Sequence, residues 1–302
     1  MPQLAKLKIA VAQYPIGEPK TLAEWETKIA AWVADGAATG AQLLVFPEYA
    51  AIEQAAAYGP EVSGSLDKTL SVVAGLTEAR TALHAALART HKVHILVGSG
   101  PAPLANGRFV NAAQLVTPQG KVGVQEKLIM TPFERDWGIS AGGPLRVFET
   151  ALGRIGIAIC YDSEFPLLVR AFAVAGAELV LVPSCTERVS GFHRIRAGAA
   201  ARALENQIVV ATSPTVGDAL WSPAVDRNVG AAGIFVPPDV LLSDSGVVAE
   251  GTLNAPGWVV GDVDMKRLRK LRSSGEMRNF TDWDLQPGVG GPAPAVEVVD
   301  LS

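Results

Sequence analysis

Two pairs of segments in this 302-residue chain repeat one another, and the repeat restricts the fold more than any other feature. Ile9-Ala10-Val11-Ala12-Gln13 is echoed by Ile155-Gly156-Ile157-Ala158-Ile159, and Gly40-Ala41-Gln42-Leu43-Leu44-Val45-Phe46-Pro47 by Gly176-Ala177-Glu178-Leu179-Val180-Leu181-Val182-Pro183. Each half reads as a buried apolar run, a helical stretch and a second buried run, so the repeat predicts one strand-helix-strand unit used twice. In that register Cys160 takes the place of Tyr14 and Glu48 the place of Ser184. All four lie just past the carboxyl ends of parallel strands, the edge where open α/β sheets hold their ligands. Chance similarity between apolar strands is the competing reading of the repeat.

The stretches between agree with an α/β sandwich. Leu7 to Gln13 reads as a strand; from Thr21 to Thr39, Leu22, Trp25, Ile29, Trp32 and Val33 fall at helical spacing, with Gly40 as a stop. A long helix is expected from about Leu66 to Thr90, a strand from His94 to Val97, and a hairpin from Phe109 to Val116 and Lys121 to Gln125 around Pro118-Gln119-Gly120. Further on come a helix from about Gly191 to Asn206, strands at Ile208 to Thr212, Ala232 to Val236, Val247 to Glu250 and Trp258 to Val263, and a basic helix from Met265 to Arg272. Residues 1–285 are expected to form one domain, with 286–302, rich in Gly and Pro, as an extended arm.

Composition narrows the function classes. With 49% apolar residues and a net charge of −4, the chain can bury a large core and is not a charge-driven nucleic-acid binder. No apolar run approaches the ~20 residues of a membrane span, and none at the amino terminus reads as a signal peptide. Two cysteines, Cys160 and Cys185, make no disulfide framework, so a reducing cytoplasm is the expected compartment.

Cys160 ends an apolar strand and precedes Tyr161-Asp162-Ser163-Glu164-Phe165-Pro166, where Ser163 can cap a helix with Pro166 in its first turn. Helix amides there would favour the thiolate, which suits a nucleophile; a buried core cysteine is the plain alternative. Glu48 follows Leu43-Leu44-Val45-Phe46-Pro47, a position where desolvation raises a carboxyl pKa toward that of a general base, unless the group caps a helix or pairs with a cation. Lys127 ends a hairpin strand, where its ammonium can face an oxyanion or simply lie on the surface.

The segments LLVFPE, KLIMTPFE and ICYDSEFP, with Glu48, Lys127 and Cys160 separated by 79 and 33 residues, together resemble the nitrilase-type carbon-nitrogen hydrolase superfamily. The resemblance runs from about Leu7 to Asp284 and includes GAELVLVPS and ARALEN. It implies a four-layer αββα sandwich, a homodimer or higher oligomer, and a small-molecule amide substrate cleaved through a cysteine thioester. It implies no metal or organic cofactor and no nucleic-acid or membrane partner. The family's catalytic glutamate, lysine and cysteine map to Glu48, Lys127 and Cys160, and its second active-site glutamate to Glu134. The backbone N-H of Tyr161 would share the oxyanion with Lys127.

Two departures stand out. Leu128-Ile129 occupy the place where many members have a His close to the lysine. Tyr161-Asp162 follow the cysteine, as in amidase-like branches, where nitrilases carry Trp-Glu. The stretch from Leu268 through Gly275, Arg278, Asn279 and Asp282 resembles a bacterial branch sometimes fused to an acetyltransferase-like domain.

Cys185, Thr186 and Glu187 are candidate pocket residues beside Tyr161; His193, Arg194 and Arg196 are candidates for a substrate carboxylate; Trp221 and Asp226 are candidates for the rim. Arg202, Glu205 and Asn206 read as structural helix contacts. His91 and His94 lack the acid or thiol partners of a metal site, and Lys266, Arg267, Arg269, Lys270 and Arg272 read as an exposed helix. The expectation is an amidase that releases ammonia and a carboxylic acid. An N-carbamoyl-amino-acid hydrolase, a nitrilase, a thiol-directed acyltransferase and a catalytically idle binding or scaffold protein are the alternatives.

Overall fold

A computed structural model describes residues 4–302. The first half runs β1 (Lys6–Pro15), α1 (Leu22–Ala38), β2 (Leu43–Val45), a 3-10 stretch (Ala50–Tyr58), α2 (Pro60–Ser63), α3 (Leu66–Gly75), α4 (Thr77–His91), β3 (His94–Pro103), β4 (Phe109–Val116) and β5 (Val122–Glu126). Two short elements follow, α5 (Pro132–Asp136) and β6 (Ile139–Ser140). The second half runs β7 (Phe148–Thr150), β8 (Gly153–Ile157), a 3-10 turn (Cys160–Glu164), α6 (Pro166–Val174), β9 (Leu179–Ser184), α7 (Val189–Asn206) and β10 (Val209–Asp218). It ends with β11 (Arg227–Asn228), β12 (Gly233–Phe235), β13 (Val247–Glu250), β14 (Gly257–Asp264), α8 (Met265–Ser274) and a 3-10 turn (Asp282–Leu285).

Strand pairing makes the repeat physical. One sheet has the order β14-β1-β2-β3-β4-β5 and the other β7-β8-β9-β10-β12-β13. In each, the first strand is antiparallel to the second, the second, third and fourth are parallel, and the last two return antiparallel. β1 therefore corresponds to β8 and β2 to β9, as the sequence echo predicts. The sheets meet where Tyr14 pairs with Thr215 and Pro15 with Val216.

Alternation along the strands sets the layers. Leu7, Ile9 and Val11 of β1, with Leu43 and Val45 of β2, join a core that holds Ile155, Ile157, Leu179 and Leu181 of the opposite sheet. Their neighbours Ala10, Ala12, Tyr14, Leu44 and Phe46 face outward into a second core with Trp25, Ile29 and Val33 of α1 and Ala85 and Ala88 of α4. On the far side Val169 and Phe172 of α6 and Ile195, Ala199 and Ala203 of α7 cover the second sheet. The result is the expected four-layer αββα sandwich.

Two local expectations fail. The long helix expected over Leu66 to Thr90 is broken at Leu76, which has φ −89° and ψ 0° and sits between α3 and α4. Gly75, the poorest helix former after proline, ends the first piece. Ser163 does not cap α6; its hydroxyl donates to the Cys160 carbonyl at 2.7 Å, closing the turn on itself, and Phe165 stands at the cap position without a side-chain bond. Residues 286–302 carry no helix or strand and are exposed. Among the described residues no helix is long and apolar enough to cross a membrane.

Candidate active site

Glu48 lies three residues past the end of β2, where β3 holds the chain through a bridge to Ser99. Tyr49 N donates to Ser99 O at 2.8 Å and Ser99 N to Pro47 O at 3.2 Å. Only glycine fits beside this crossing: a Cβ on Gly98, whose φ is +87°, would lie 2.1 Å from Pro47 O. Lys127, one residue past β5, is fixed on both sides, its N donating to Asn111 O and its O accepting from Gly142 N, each at 2.8 Å. Cys160 sits where β8 gives way to the 3-10 turn and has φ +48°, while Tyr49 has φ +57°. Non-glycine residues rarely hold this left-handed conformation, and when they do they cluster at functional sites.

Strand ends from opposite sheets and the first turn of α5 thus bring four groups together. The Lys127 ammonium donates to Glu48 Oε1 at 2.8 Å and to Glu134 Oε2 at 2.7 Å, although Lys127 is only 1% exposed. Asn111 Nδ2 donates to Glu48 Oε1 and to Glu134 Oε1, both at 2.9 Å, and Tyr49 OH donates to Glu134 Oε1 at 2.8 Å. Thr131 N and Thr131 Oγ1 donate to Glu134 Oε2 at 2.9 and 3.0 Å, a capping box that starts α5 and holds this carboxylate rigid. The Cys160 thiol, 4% exposed, donates to Cys185 O at 3.8 Å.

Burial and charge assign distinct protonation tendencies. Burial pushes the Glu48 carboxyl above its ordinary range, an effect that Lys127 only partly offsets. Burial acts on Glu134 too, but the Lys127 ammonium and the Thr131 and Asn111 donors outweigh it and hold that group below 4.5. Desolvation would lower Lys127, yet the two carboxylates keep it charged well above the usual ammonium range. Burial and the nearby Glu48 carboxylate push the Cys160 thiol well above 9.0. The sequence-based expectation that helix amides favour the thiolate is opposed here by burial and the Glu48 carboxylate, both of which favour the neutral thiol.

These groups line one cavity of about 550 Å³. Glu48, Lys127, Glu134, Cys160, Tyr161, Cys185, Thr186, Glu187 and Arg194 all contribute to its wall. His193 does not: α7 turns Ser190, Gly191, Arg194 and Ile195 to the cavity, and His193 lies off that face, exposed against Phe192 with ring centroids 4.9 Å apart. Arg196 is likewise elsewhere, paired with Glu250. Arg194 meets Glu164 at 3.3 Å. The expected rim loop does reach the cavity, but through Ala224, Val225 and Arg227; Trp221 packs beneath it with Tyr49, Ile52 and Val225. Arg202 donates to Ser163 O and Glu164 O at 3.4 and 3.3 Å, bracing the cysteine turn from α7.

Three residues here went unassigned from sequence. Asn111 is fully buried mid-strand in Phe-Val-Asn-Ala-Ala, and an amide in so apolar a run was the available signal. Tyr49 is masked by its place beside Glu48. Asp162, 2% exposed, accepts from Leu128 N at 3.1 Å and Ile129 N at 2.8 Å, with burial lifting its pKa to about 6. Among the described residues no cluster of His, Cys, Asp or Glu is placed to hold a metal ion.

Comparison with known proteins places this geometry in context. The model of the carbon-nitrogen hydrolase family matches residues 8–272. A probable hydrolase, YhcX, of Bacillus subtilis (strain 168) is 36% identical over 277 residues, 91% of this chain and 53% of the relative, so the chain spans about half the length of that protein. The omega-amidase NIT2 of Xenopus tropicalis is 24% identical over 295 residues, covering 93% of this chain and 97% of the relative. In fold, the chain is similar to Nit3 of Saccharomyces cerevisiae, described as a member of branch 10 of the nitrilase superfamily, with a TM-score of 0.72, 21% identity, and 91% and 96% of the two chains covered.

Proposed function

The chain belongs to the carbon-nitrogen hydrolase family, and we propose that it is a cysteine-dependent amidase that hydrolyses a small non-peptide amide to ammonia and a carboxylic acid. The observation that carries this reading is a buried ammonium bonded to two carboxylates in the same cavity as a buried thiol. Binding alone requires no such set.

The chemistry follows from the protonation tendencies. Cys160 Sγ attacks the amide carbonyl carbon as Glu48 takes the thiol proton, and the carbonyl oxygen becomes an oxyanion facing Lys127 and the Tyr161 N-H. Collapse breaks the C-N bond, and ammonia leaves with the proton from Glu48. Water then attacks the thioester, giving its proton to Glu48; the acid departs and the proton returns to sulfur. Glu134, held ionised, keeps Lys127 charged and in place.

Magnitudes favour placement over thiol acidity. An oxyanion donor is worth about 3–4 kcal/mol and fixed orientation roughly 7–11, whereas full ionisation of an ordinary thiol at neutral pH adds only about 2. A thiol with a raised pKa beside a positioned base fits that ordering.

The rim extends the reading to the rest of the substrate. Arg188 and Arg227 line the cavity, and among the described residues neither makes an ion pair; Glu187 beside them is unpaired as well, while Arg194 is engaged by Glu164. Two free guanidiniums favour an amide that carries a carboxylate at its far end. Ammonia release from a panel of neutral amides, carboxylate-bearing amides, ureido acids and nitriles tests both levels, with intact-mass detection of an acyl adduct on Cys160. No release and no adduct from any of them would leave an idle binding protein as the better account.

A further inference from the structure

The two sheets deliver different reagents, so something must set the distance between them. Glu48 and Lys127 follow strands of one sheet, whereas Cys160 follows β8 of the other. At the site the joining is done by Asp162. Its Oδ1 accepts from Ile129 N at 2.8 Å and its Oδ2 from Leu128 N at 3.1 Å. Among the described residues no other hydrogen bond joins the 127–131 segment to the 159–165 turn.

We propose that Asp162 is a positioning residue for amide hydrolysis: its carboxylate, two residues after the nucleophile, grips the two amides that follow Lys127 and so fixes thiol and ammonium at one separation. This rests on the amidase reading above. The grip is bidentate and two-point at both ends. On the cysteine side Asp162 N donates to Ile159 O at 3.0 Å and Phe165 N to Asp162 O at 3.2 Å, which leaves the turn little freedom to move without its carboxylate. On the lysine side the amides belong to adjacent residues, so the carboxylate fixes direction as well as distance. Leu128-Ile129, the departure from the family's lysine motif, contribute through backbone N-H groups, which any residue but proline can supply.

Asp162→Asn keeps the shape but sets an NH2 group against one of the two N-H donors. Hydrogen-deuterium exchange of the wild type and variant is expected to show faster exchange at Leu128 and Ile129. The variant's kcat should fall about ten- to a hundredfold with KM changed by no more than about twofold, because misplacement is felt in the transition state. Asp162→Glu restores two acceptor oxygens and is expected to regain exchange protection and part of the lost kcat. Arg269→Met breaks a pair with Glu178 away from the cavity and serves as the comparison for stability alone, all variants being assayed below their melting transitions. Unchanged kcat in Asp162→Asn would overturn the proposal and leave the amidase reading standing, as would a loss that Arg269→Met matches at equal stability. Absence of wild-type turnover, with protection at Leu128 and Ile129 intact, would instead sink the amidase reading.

Discussion

The Asn111 side chain donates through a single nitrogen to both Glu48 and Glu134, 2.9 Å from each. One amide on β4 thus spans two carboxylates that would otherwise repel each other, as does the Lys127 ammonium, which bonds the same two groups. In the proposed mechanism, the acid that gains and loses a proton and the acid that stays ionised are spaced by the same neutral donor.

Replacing that donor is expected to affect stability and titration together. Asn111→Leu should cost about 1–3 kcal/mol, the penalty for leaving buried acceptors short of a partner. It should also move the acid limb of kcat/KM to higher pH, since Glu48 loses a bond that favours its charged form. Chemical denaturation and a pH-rate profile measure the two effects, and a variant with unchanged values for both would remove Asn111 from the site.

Cys160→Ser should fold with nearly the same melting temperature, because the hydroxyl fits the space of the thiol. Ammonia release should drop by at least about a thousandfold, since the weaker nucleophile cannot carry the acyl group at a useful rate. Near-normal hydrolysis by this variant would exclude the sulfur as nucleophile.

The pH dependence has a defined sign. Under the proposed mechanism Glu48 acts as a base only when ionised, and burial raises it above the ordinary carboxylate value, so kcat/KM should climb with pH along a limb placed above that value. For stability the two acids run oppositely. Glu48, raised on folding, contributes fully below its unfolded value, and that contribution is lost as pH rises through the folded one. Glu134, lowered by Lys127, contributes above 4.5 and loses that contribution as pH falls through its folded value. The stability difference between wild type and Glu134→Gln should therefore shrink on acidification; a gap that widens would contradict the Lys127–Glu134 pairing as its source.

At the rim, Arg188→Ala and Arg227→Ala should each raise KM for a carboxylate-bearing amide by about three- to tenfold while leaving neutral amides unchanged, the modest scale typical of exposed charges. Steady-state kinetics on matched substrates reads this directly. Equal changes for both substrate types would mean that the arginines shape the wall without recognising charge.

How far the sequence led depended on the kind of signal. Strands and layers were legible because burial on both faces makes Ile9 to Ala12 and Leu179 to Val182 unbroken apolar runs, and the repeat doubled the evidence. That Glu48, Lys127 and Cys160 would meet in one cavity was legible because their order and spacing are specific. His193 and Arg196 misled because their helix was placed correctly but its rotation about its own axis was not, and one residue step turns a side chain by about 100°. Asn111 and Asp162 were missed for a different reason: they act on backbone amides or on other site residues, and nothing in the linear order of a chain reveals which strand will face which. The thiol's protonation was misjudged because helix proximity is local and readable, whereas burial belongs to the completed fold.

Tyr14 with Thr215 and Pro15 with Val216 form a very short ladder between the halves. Backbone pairing across this seam is two rungs long, supplemented by the Ser213 hydroxyl on Ala12 O and Val45 O, by the Gln13 side chain on Ala232 N and by the shared apolar core, so a slip of one half on the other breaks fewer backbone bonds than melting either sheet. On gentle heating, catalysis should consequently fade while circular dichroism still reports full secondary structure, because a small slip between halves parts the reagents without unravelling a strand.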